Sequence, residues 1–589
     1  MEKLQRKRIF PEPHLPASSE LLAEGRQKAG TIRVGSCAFL KEYGVQSESE
    51  YKRRRMREKV VMLHAQVGYR DPGKTRRACA EIHDKVAGAG HRVDRYGICL
   101  DWSMGYPQAQ RDRMPRGTGL ILQGPEDFAA LTCCAPVAPH FGDFVMGTPA
   151  AFENTAAALL AGSTAIGNLG QYFTFRMPGW SEDIETTAAT IRAMALCAAQ
   201  PVEVLIHSNL DDGYAALFCD LACGIGMALL ERYIVDELIG GRVSHCFGHV
   251  FSDPLTRMAF QRALGRVCPT PGSMVYGNTT IYVAGAVENY ANLASYLLTD
   301  ILAQRAMPTG HGLNPVPVTE AMRIPEIDEI IDAQLFANRL IQRADGYLPM
   351  LDWPRVDAIA DRLVAGGQAF KERILQGLAE AGIDTSDPFE LLLALRRLGA
   401  KRLEEWFGPG PYQEEALRHR VPLVKATTIA ALEAQGGGVV ASLAPDEQDL
   451  LRQAGLKACV TCTDVHEYGK ILVETVLSMV GIAVHDGGVS ADPDQVARQA
   501  QACGADFIAV STYNGVALRY MRQLREELTK AGLALPIFVG GKLNQIPEDS
   551  PDSLPVDVSA QLRELGATVC LRAEDILAEL TRRVHSGAF

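Results

Sequence analysis

The sequence predicts an α/β chain in two successive parts, a (β/α)8 TIM barrel followed by a doubly wound, flavodoxin-like parallel sheet. Three observations carry this prediction. Short apolar runs alternate with helical segments throughout residues 456–589. Upstream, β-branched or apolar runs alternate with alanine-rich helices over a much longer stretch. Within the final part, polar and glycine residues sit at the ends of predicted strands, where open α/β sheets bind their ligands.

The elements follow in order. A chain of 589 residues is too long for one ordinary core and calls for two or more domains. Residues 1–60 read as an N-terminal extension, 61–435 as the barrel with a C-terminal helical tail, 436–455 as a linker marked by Gly436-Gly437-Gly438, and 456–589 as the final domain. In the barrel region Gly119–Leu122, Phe144–Met146, Ala165–Asn168 and Val202–His207 read as strand ends, with Phe152–Leu160 and Ile184–Ala198 as helices. Repeated βα units over such a span favour a barrel, whose site is built from loops at the C-terminal ends of its strands, over a second doubly wound sheet. In the final domain strands at Lys457–Thr463, Ile482–Asp486, Asp506–Ser511 and Pro536–Gly541 alternate with helices at Tyr468–Val480, Pro493–Ala502 and Ala517–Ala531, as a parallel sheet requires.

Composition narrows the class. With 47% hydrophobic and 22% charged residues the chain has the make-up of an ordinary globular enzyme, and a net charge of −11 argues against nucleic acid as a partner. The basic run Lys52–Arg57 reads as a solvated helix face. Met1–Arg8 is charged and followed by Pro11 and Pro13, unlike a signal peptide. The longest apolar stretch, Ala215–Leu230, is interrupted by Asp220 and too short to span a bilayer. A cytoplasmic protein with no membrane partner is expected. Fourteen cysteines without a disulfide framework suit a reducing compartment, and Cys459-Val-Thr-Cys462 reads as a pair of buried strand cysteines.

The chemistry-bearing residues are concentrated in the final domain. Asp464-Val-His466-Glu-Tyr-Gly469 follows its first strand; forty-one residues separate Gly469 from Ser511, and twenty-six separate Tyr513 from Gly540-Gly541. A neutral imidazole is a good transition-metal ligand, and a carboxylate two residues earlier can accept a hydrogen bond from its other nitrogen, fixing the tautomer and raising basicity. Ser511 ends a strand in a hydroxyl, and Gly540 and Gly541 end another where a backbone can approach a bulky ligand.

This pattern resembles the D-x-H-x-x-G, S-x-L, G-G signature of corrinoid proteins that bind cobalamin with its own base displaced, with Tyr513 where the signature usually has Leu. The resemblance implies that His466 is the lower axial ligand of cobalt and that Ser511, Tyr513, Gly540 and Gly541 line the slot for the displaced nucleotide tail. Upstream, Met146-Gly-Thr-Pro149, Gly167-Asn168-x-Gly170, Pro317-Val-Thr-Glu320-Ala-Met-Arg-Ile-Pro325 and Phe407-Gly-Pro-Gly-Pro-Tyr412 resemble, in the same order, the barrel subunit of glutamate mutase. The fusion of the two parts is similar to the chain of 2-methyleneglutarate mutase.

That resemblance implies an adenosylcobalamin-dependent radical mutase with a 1,2 carbon-skeleton rearrangement of a small carboxylic acid, and a homodimer. Glu320 matches the family's contact to the adenosyl ribose, and Arg70 one of three arginines that grip the substrate. The departures matter as much. Phe152 stands where the family has an arginine, Leu169 where it has the glutamate that holds the substrate ammonium, and Phe175 where it has a tyrosine; Tyr172 is a further pocket candidate. Loss of a buried charge partner costs about 3–5 kcal/mol, so glutamate itself is not the expected substrate, and a 2-methyleneglutarate-like acid is one candidate. The alternatives are a corrinoid-dependent methyltransferase, which typically carries a helical cap before its cobalamin domain and is disfavoured because the segment before this one has room for at most one or two short helices, and a non-catalytic cobalamin-binding regulator.

Overall fold

The computed structural model of the chain describes residues 4–114, 116–117, 119–211, 214–248, 253–277, 282, 285–320, 322–414, 416–513, 515–545 and 555–589. It divides into two compact units, one of residues 1–173 with 180–427 and one of residues 174–179 with 428–589.

The larger unit is built on eight parallel strands, β1 (Met62–Val67), β2 (Arg95–Ile98), β3 (Ala138–Phe141), β4 (Ala165–Ile166), β5 (Leu205–Asn209), β6 (Val243–Phe247), β7 (Met274–Val275) and β8 (Gly312–Leu313). Their order is β7-β6-β5-β4-β3-β2-β1-β8, a curled sheet in the order of a (β/α)8 barrel. At the β7/β8 seam the strands form no ladder among the described residues, but Gly272 N donates to Thr309 O (2.7 Å) and Thr309 Oγ1 to Ser273 O (2.6 Å). Two sequence expectations differ. The third strand is Ala138–Phe141 rather than Phe144–Met146, and Gly119–Leu122 contributes only a bridge from Leu120 to Leu100. Both segments hold apolar residues that pack in loops at the strand ends, which a short apolar run cannot distinguish from a strand.

Side chains alternate across each strand. Tyr96, Phe141 and Phe247 point outward to the helices, the tyrosine hydroxyl reaching Cys79 O (2.7 Å) and the two phenylalanines packing on Phe128 and Phe260. The opposite positions, which include His64, Gln66, Arg95, Gly97, His140 and His207, therefore face inward. A barrel interior is usually filled by branched apolar residues; here it is polar. The helix Glu48–Arg57 closes part of it from the N-terminal extension: Glu48 Oε1 lies 3.0 Å from Arg95 Nε and 3.1 Å from Lys52 Nζ, and Lys52 Nζ donates to Gly310 O at 3.0 Å. Lys52 is thus buried, not the solvated residue its basic run suggested, because its ammonium satisfies a carboxylate and a carbonyl inside the barrel. Burial holds His64, His140, His207 and His311 well below the usual imidazole range. The positive charge of Arg95 adds to this, with that of Lys52 ahead of it for His311. The four imidazoles are neutral at physiological pH.

The smaller unit has β9 (Lys457–Cys462), β10 (Ala483–Asp486), β11 (Phe507–Thr512), β12 (Ile537–Gly541), the short antiparallel pair β13 (Asn544–Gln545) and β14 (Val556–Asp557), and β15 (Thr568–Cys570). The five parallel strands run β10-β9-β11-β12-β15, the flavodoxin-like order, whose ligand crevice lies where the order reverses, between the first and third strands. Both sheet faces are covered: Ile508 and Val510 enter one apolar core, Phe507 and Ala509 the other. Such strands read as continuous apolar runs. Gly436, Gly437 and Gly438 do not form a linker. They lie inside the helix Thr427–Ala441, with Gly436 buried against Thr475 and Val476; close packing rather than chain flexibility explains the glycine at 436. Cys459 and Cys462 are buried in β9. No helix among the described residues is long and apolar enough to cross a membrane.

One buried cluster in the larger unit sets a pH dependence. His245 faces outward from β6 with Nε2 3.1 Å from Glu231 Oε2 and Nδ1 3.3 Å from Cys268 Sγ, while Ser208 Oγ donates to Glu231 Oε1 at 2.6 Å. Burial works against its charge, but Cys268 and Glu231 outweigh it and push the imidazole up from 6.5 to about 10. A histidine raised on folding contributes stability that is complete below its unfolded pKa and lost as pH rises through the folded one. Unfolding free energy should therefore fall as pH rises from 7 toward 10. Glu231→Gln should reduce that slope and, by taking away one acceptor of the buried imidazolium, destabilise the fold at pH 7, as read by urea unfolding at the two pH values.

Candidate functional site

The reversal between β9 and β11 carries the densest set of functional side chains. β9 ends at Cys462, and the chain turns through Thr463–Glu467 into the helix Tyr468–Met479. Asp464, only 4% exposed, organises that turn. Its Oδ1 accepts from the His466 backbone N–H (3.0 Å) and from His466 Nδ1 (2.6 Å), and its Oδ2 from Thr463 Oγ1 (3.0 Å) and Tyr513 N–H (3.0 Å). With Nδ1 donating its proton to the carboxylate, the ring's lone pair resides on Nε2, the form in which an imidazole ligates a metal. The His466 side chain is 31% exposed, so a ligand can reach it. Its ring packs on Tyr513 with centroids 4.4 Å apart and planes at 30°.

The remaining signature residues are fixed by backbone approach. Thr463 N–H donates to Ser511 O at 3.0 Å, joining the ends of β9 and β11. A Cβ on Gly469 would displace Ser511 Oγ, so a glycine lets the helix start beside that hydroxyl without turning it away. Gly540 pairs with Ser511 and Gly541 with Thr512 across β11 and β12. Gly541 has φ +97°, and a Cβ there would run into the Thr512 carbonyl; a Cβ on Gly540 would lie 3.0 Å from Cys570 O. The glycine pair is thus demanded first by neighbouring strand ends, a stronger requirement than the open space for a ligand expected from sequence. Lys542 follows, its N–H donating to Thr512 O at 2.8 Å and its Nζ 4.0 Å from the centroid of the Tyr513 ring. An accessible imidazole with its second nitrogen engaged, beside a side-chain-free edge and a hydroxyl, is a donor set and shape that fit a base-displaced cobalamin.

In the larger unit the expected residues divide. Glu320 is exposed in a turn after β8, its N–H donating to Pro317 O at 3.1 Å. Its charge, second to burial, helps raise the pKa of Tyr276, just past β7. It also helps raise those of Cys99 and Tyr282. Arg70 lies after β1, half-buried, with Nη2 3.5 Å from Gly117 O. Leu169 is fully buried after β4, its N–H on His207 O at 2.8 Å. Glu320, Arg70 and Leu169 thus all lie past the C-terminal ends of barrel strands, where barrel active sites are built. Phe152 is half-buried on the helix Ala151–Leu160; Phe175, also half-buried, belongs to the segment 174–179 of the smaller unit. Tyr172 is fully buried, with its hydroxyl 2.7 Å from Thr187 Oγ1 and Arg396 over its ring at 4.9 Å.

Sequence reasoning missed two features. One is the inward pair of His64 and His140, whose signal was polar residues at alternate positions of otherwise apolar strands. The other is Lys470, fully buried one residue past Gly469 and ion-paired to Glu474 and, at 2.8 Å, to Asp486.

Comparison with known proteins agrees with this geometry. Residues 458–559 match the B12 binding domain family. The dimethylamine corrinoid protein of Methanosarcina barkeri is 26% identical over 179 residues, covering 29% of this chain and 84% of that protein. Dimethylamine corrinoid protein 1 of Methanosarcina acetivorans is 27% identical over the same length and shares. Among solved structures, a cobalamin-binding protein from Desulfitobacterium hafniense DCB-2 is 20% identical, covering 26% of this chain and 70% of that one, with a TM-score of 0.20. The smaller unit carries a B12-binding domain.

Because Asp464 holds both the tautomer and the orientation of His466, Asp464→Ala should weaken cobalamin binding about 10- to 100-fold, measured by equilibrium titration of the full chain with hydroxocobalamin. An unchanged dissociation constant would remove Asp464 from the site.

Proposed function

We propose that the chain is an adenosylcobalamin-dependent mutase that rearranges the carbon skeleton of a small carboxylic acid other than glutamate, a 2-methyleneglutarate-like acid being one candidate. The observation that carries this reading is the presence, on one chain, of a B12-binding domain and an eight-stranded barrel-order unit with Glu320 and Arg70 past its strand ends. When bound, adenosylcobalamin supplies homolysis of its cobalt–carbon bond, the radical start that a 1,2 shift at an unactivated carbon needs.

The chain's own residues supply placement. His466 would hold the cobalt through Nε2 while Asp464 keeps the proton on Nδ1. Ser511, Gly540 and Gly541 border the space for the nucleotide tail. Glu320 takes the adenosyl ribose, and Arg70 a substrate carboxylate, with the two-pronged geometry of a guanidinium. Phe152 and Leu169 leave the pocket without the arginine and the ammonium-binding carboxylate found in glutamate mutase, which supports an acid without an amino group. A homodimer is the proposed assembly.

A second reading, corrinoid-dependent methyl transfer, is favoured by the corrinoid proteins among the relatives. It is also favoured by the two helices, Thr427–Ala441 and Pro445–Gln453, that precede β9.

The two readings separate experimentally. The full chain reconstituted with adenosylcobalamin should convert an unsaturated or branched acid to an isomer detectable by NMR, with a cobalt-coupled organic radical in its EPR spectrum. Turnover of methylcobalamin with no isomer and no radical would favour methyl transfer. On the mutase reading His466→Ala should lower turnover by about tenfold or more and lower corrinoid uptake by less; unchanged turnover would tell against axial ligation.

A further inference from the structure

Tyr513 occupies the position where the cobalamin signature usually has a leucine, and its surroundings give it a task a leucine cannot perform. Three strand-end segments meet at its ring. The first brings His466, whose imidazole packs on the phenol at 4.4 Å and 30°. The second is the Tyr513 backbone itself, whose N–H is fixed on Asp464 Oδ2 at 3.0 Å while the other oxygen of the same carboxylate holds His466 Nδ1 at 2.6 Å. The third brings Lys542, tied by its N–H to Thr512 O at 2.8 Å, with its ammonium 4.0 Å from the same ring centroid. One carboxylate thus sets the register of both rings, and a cation packs on the phenol.

Asp464 alone leaves the imidazole one soft motion. A single hydrogen bond at Nδ1 fixes where that atom sits but lets the ring plane rock about the bond, which swings Nε2. A flat ring packed on the imidazole face opposes that rocking, because tilting would break the ring contact; offset or tilted aromatic pairs contribute beyond the area they bury. The contact is on the ring face, whereas the Nε2 lone pair lies in the ring plane, so the phenol steadies the ligand without standing in its coordination direction.

We infer that Tyr513 is a positioning residue that holds the plane of His466 and thereby selects cobalamin with the protein histidine, rather than its own base, below the cobalt. The inference rests on the reading of His466 as the lower axial ligand. It concerns binding and coordination of cobalamin in either functional reading above.

The test uses the full chain loaded with hydroxocobalamin and reduced to the cob(II) state, in wild type, Tyr513→Leu, Tyr513→Phe and His466→Ala. In the wild type the EPR splitting from the axial nitrogen should change from three lines to two when histidine is labelled with nitrogen-15. Tyr513→Phe keeps the ring and should keep both the label-sensitive splitting and the affinity. Tyr513→Leu should raise the dissociation constant about threefold to tenfold and lower the label-sensitive fraction. Circular dichroism confirms that each variant is folded. Wild-type affinity and an undiminished label-sensitive signal in Tyr513→Leu would overturn the inference while leaving His466 as ligand. A splitting in the wild type that ignores the label, as His466→Ala should give, would overturn ligation by His466 and this inference with it.

Discussion

The smaller unit depends on one buried carboxylate. Asp464 accepts four hydrogen bonds, two on each oxygen, from Thr463, His466 twice, and Tyr513, which is the full capacity of an ionised carboxylate. A buried charge is tolerable only when satisfied in this way, so the side chain both needs these partners and dictates where they stand. It joins the loop after β9 to the end of β11 across the point where the strand order reverses, and it sets the proton on the imidazole. The doubly wound topology supplies a crevice there in any protein of this order; Asp464 makes this particular crevice a ligand-presenting one.

The glycines follow from that junction. Once the ends of β9 and β11 are joined, the helix after the first loop starts against Ser511 and β12 ends against Thr512, so a Cβ at 541 would strike backbone and one at 469 would turn the Ser511 hydroxyl away. The signature is therefore less a set of independent ligand contacts than the record of three backbone segments converging on one imidazole. Lys470 belongs to the same economy of space. Its buried ammonium is matched by Glu474 and Asp486, pinning the helix that starts at Tyr468 to the end of β10.

How much of this was legible in the sequence varies with the kind of interaction. Asp464 and His466 are two residues apart after an apolar strand, so their pairing is local and readable. The fold order was likewise readable, because strands covered on both faces are apolar throughout. The stacking of Tyr513 on His466 joins residues 47 apart in sequence, and nothing local announces it. The same holds for Lys52, which lies in a strongly basic run and looks solvated until the barrel supplies Glu48 beside it and the Gly310 carbonyl to receive it. Gly436–Gly438 fails in the opposite sense: glycine usually breaks a helix at a cost of about 1 kcal/mol per residue, yet tight packing on Thr475 makes a side chain at 436 the worse choice. Tyr172 lies close to Leu169 in sequence, but which way its hydroxyl turns is decided by Thr187 on a later helix.

The polar barrel interior bears on the kind of molecule the larger unit can hold. Arg95 and Lys52 bring two positive charges and Glu48 one negative, and Glu48 contacts both cations at 3.0 and 3.1 Å. Burial comes first in keeping His64, His140, His207 and His311 neutral, and the positive field of Arg95 adds to it. A substrate ammonium brought toward such a field would be repelled, and Leu169 offers it no carboxylate in compensation. An anion would be attracted, and neutral imidazoles can donate to its oxygens without a change in protonation. The charge distribution of the interior thus accords with the acid without an amino group proposed above.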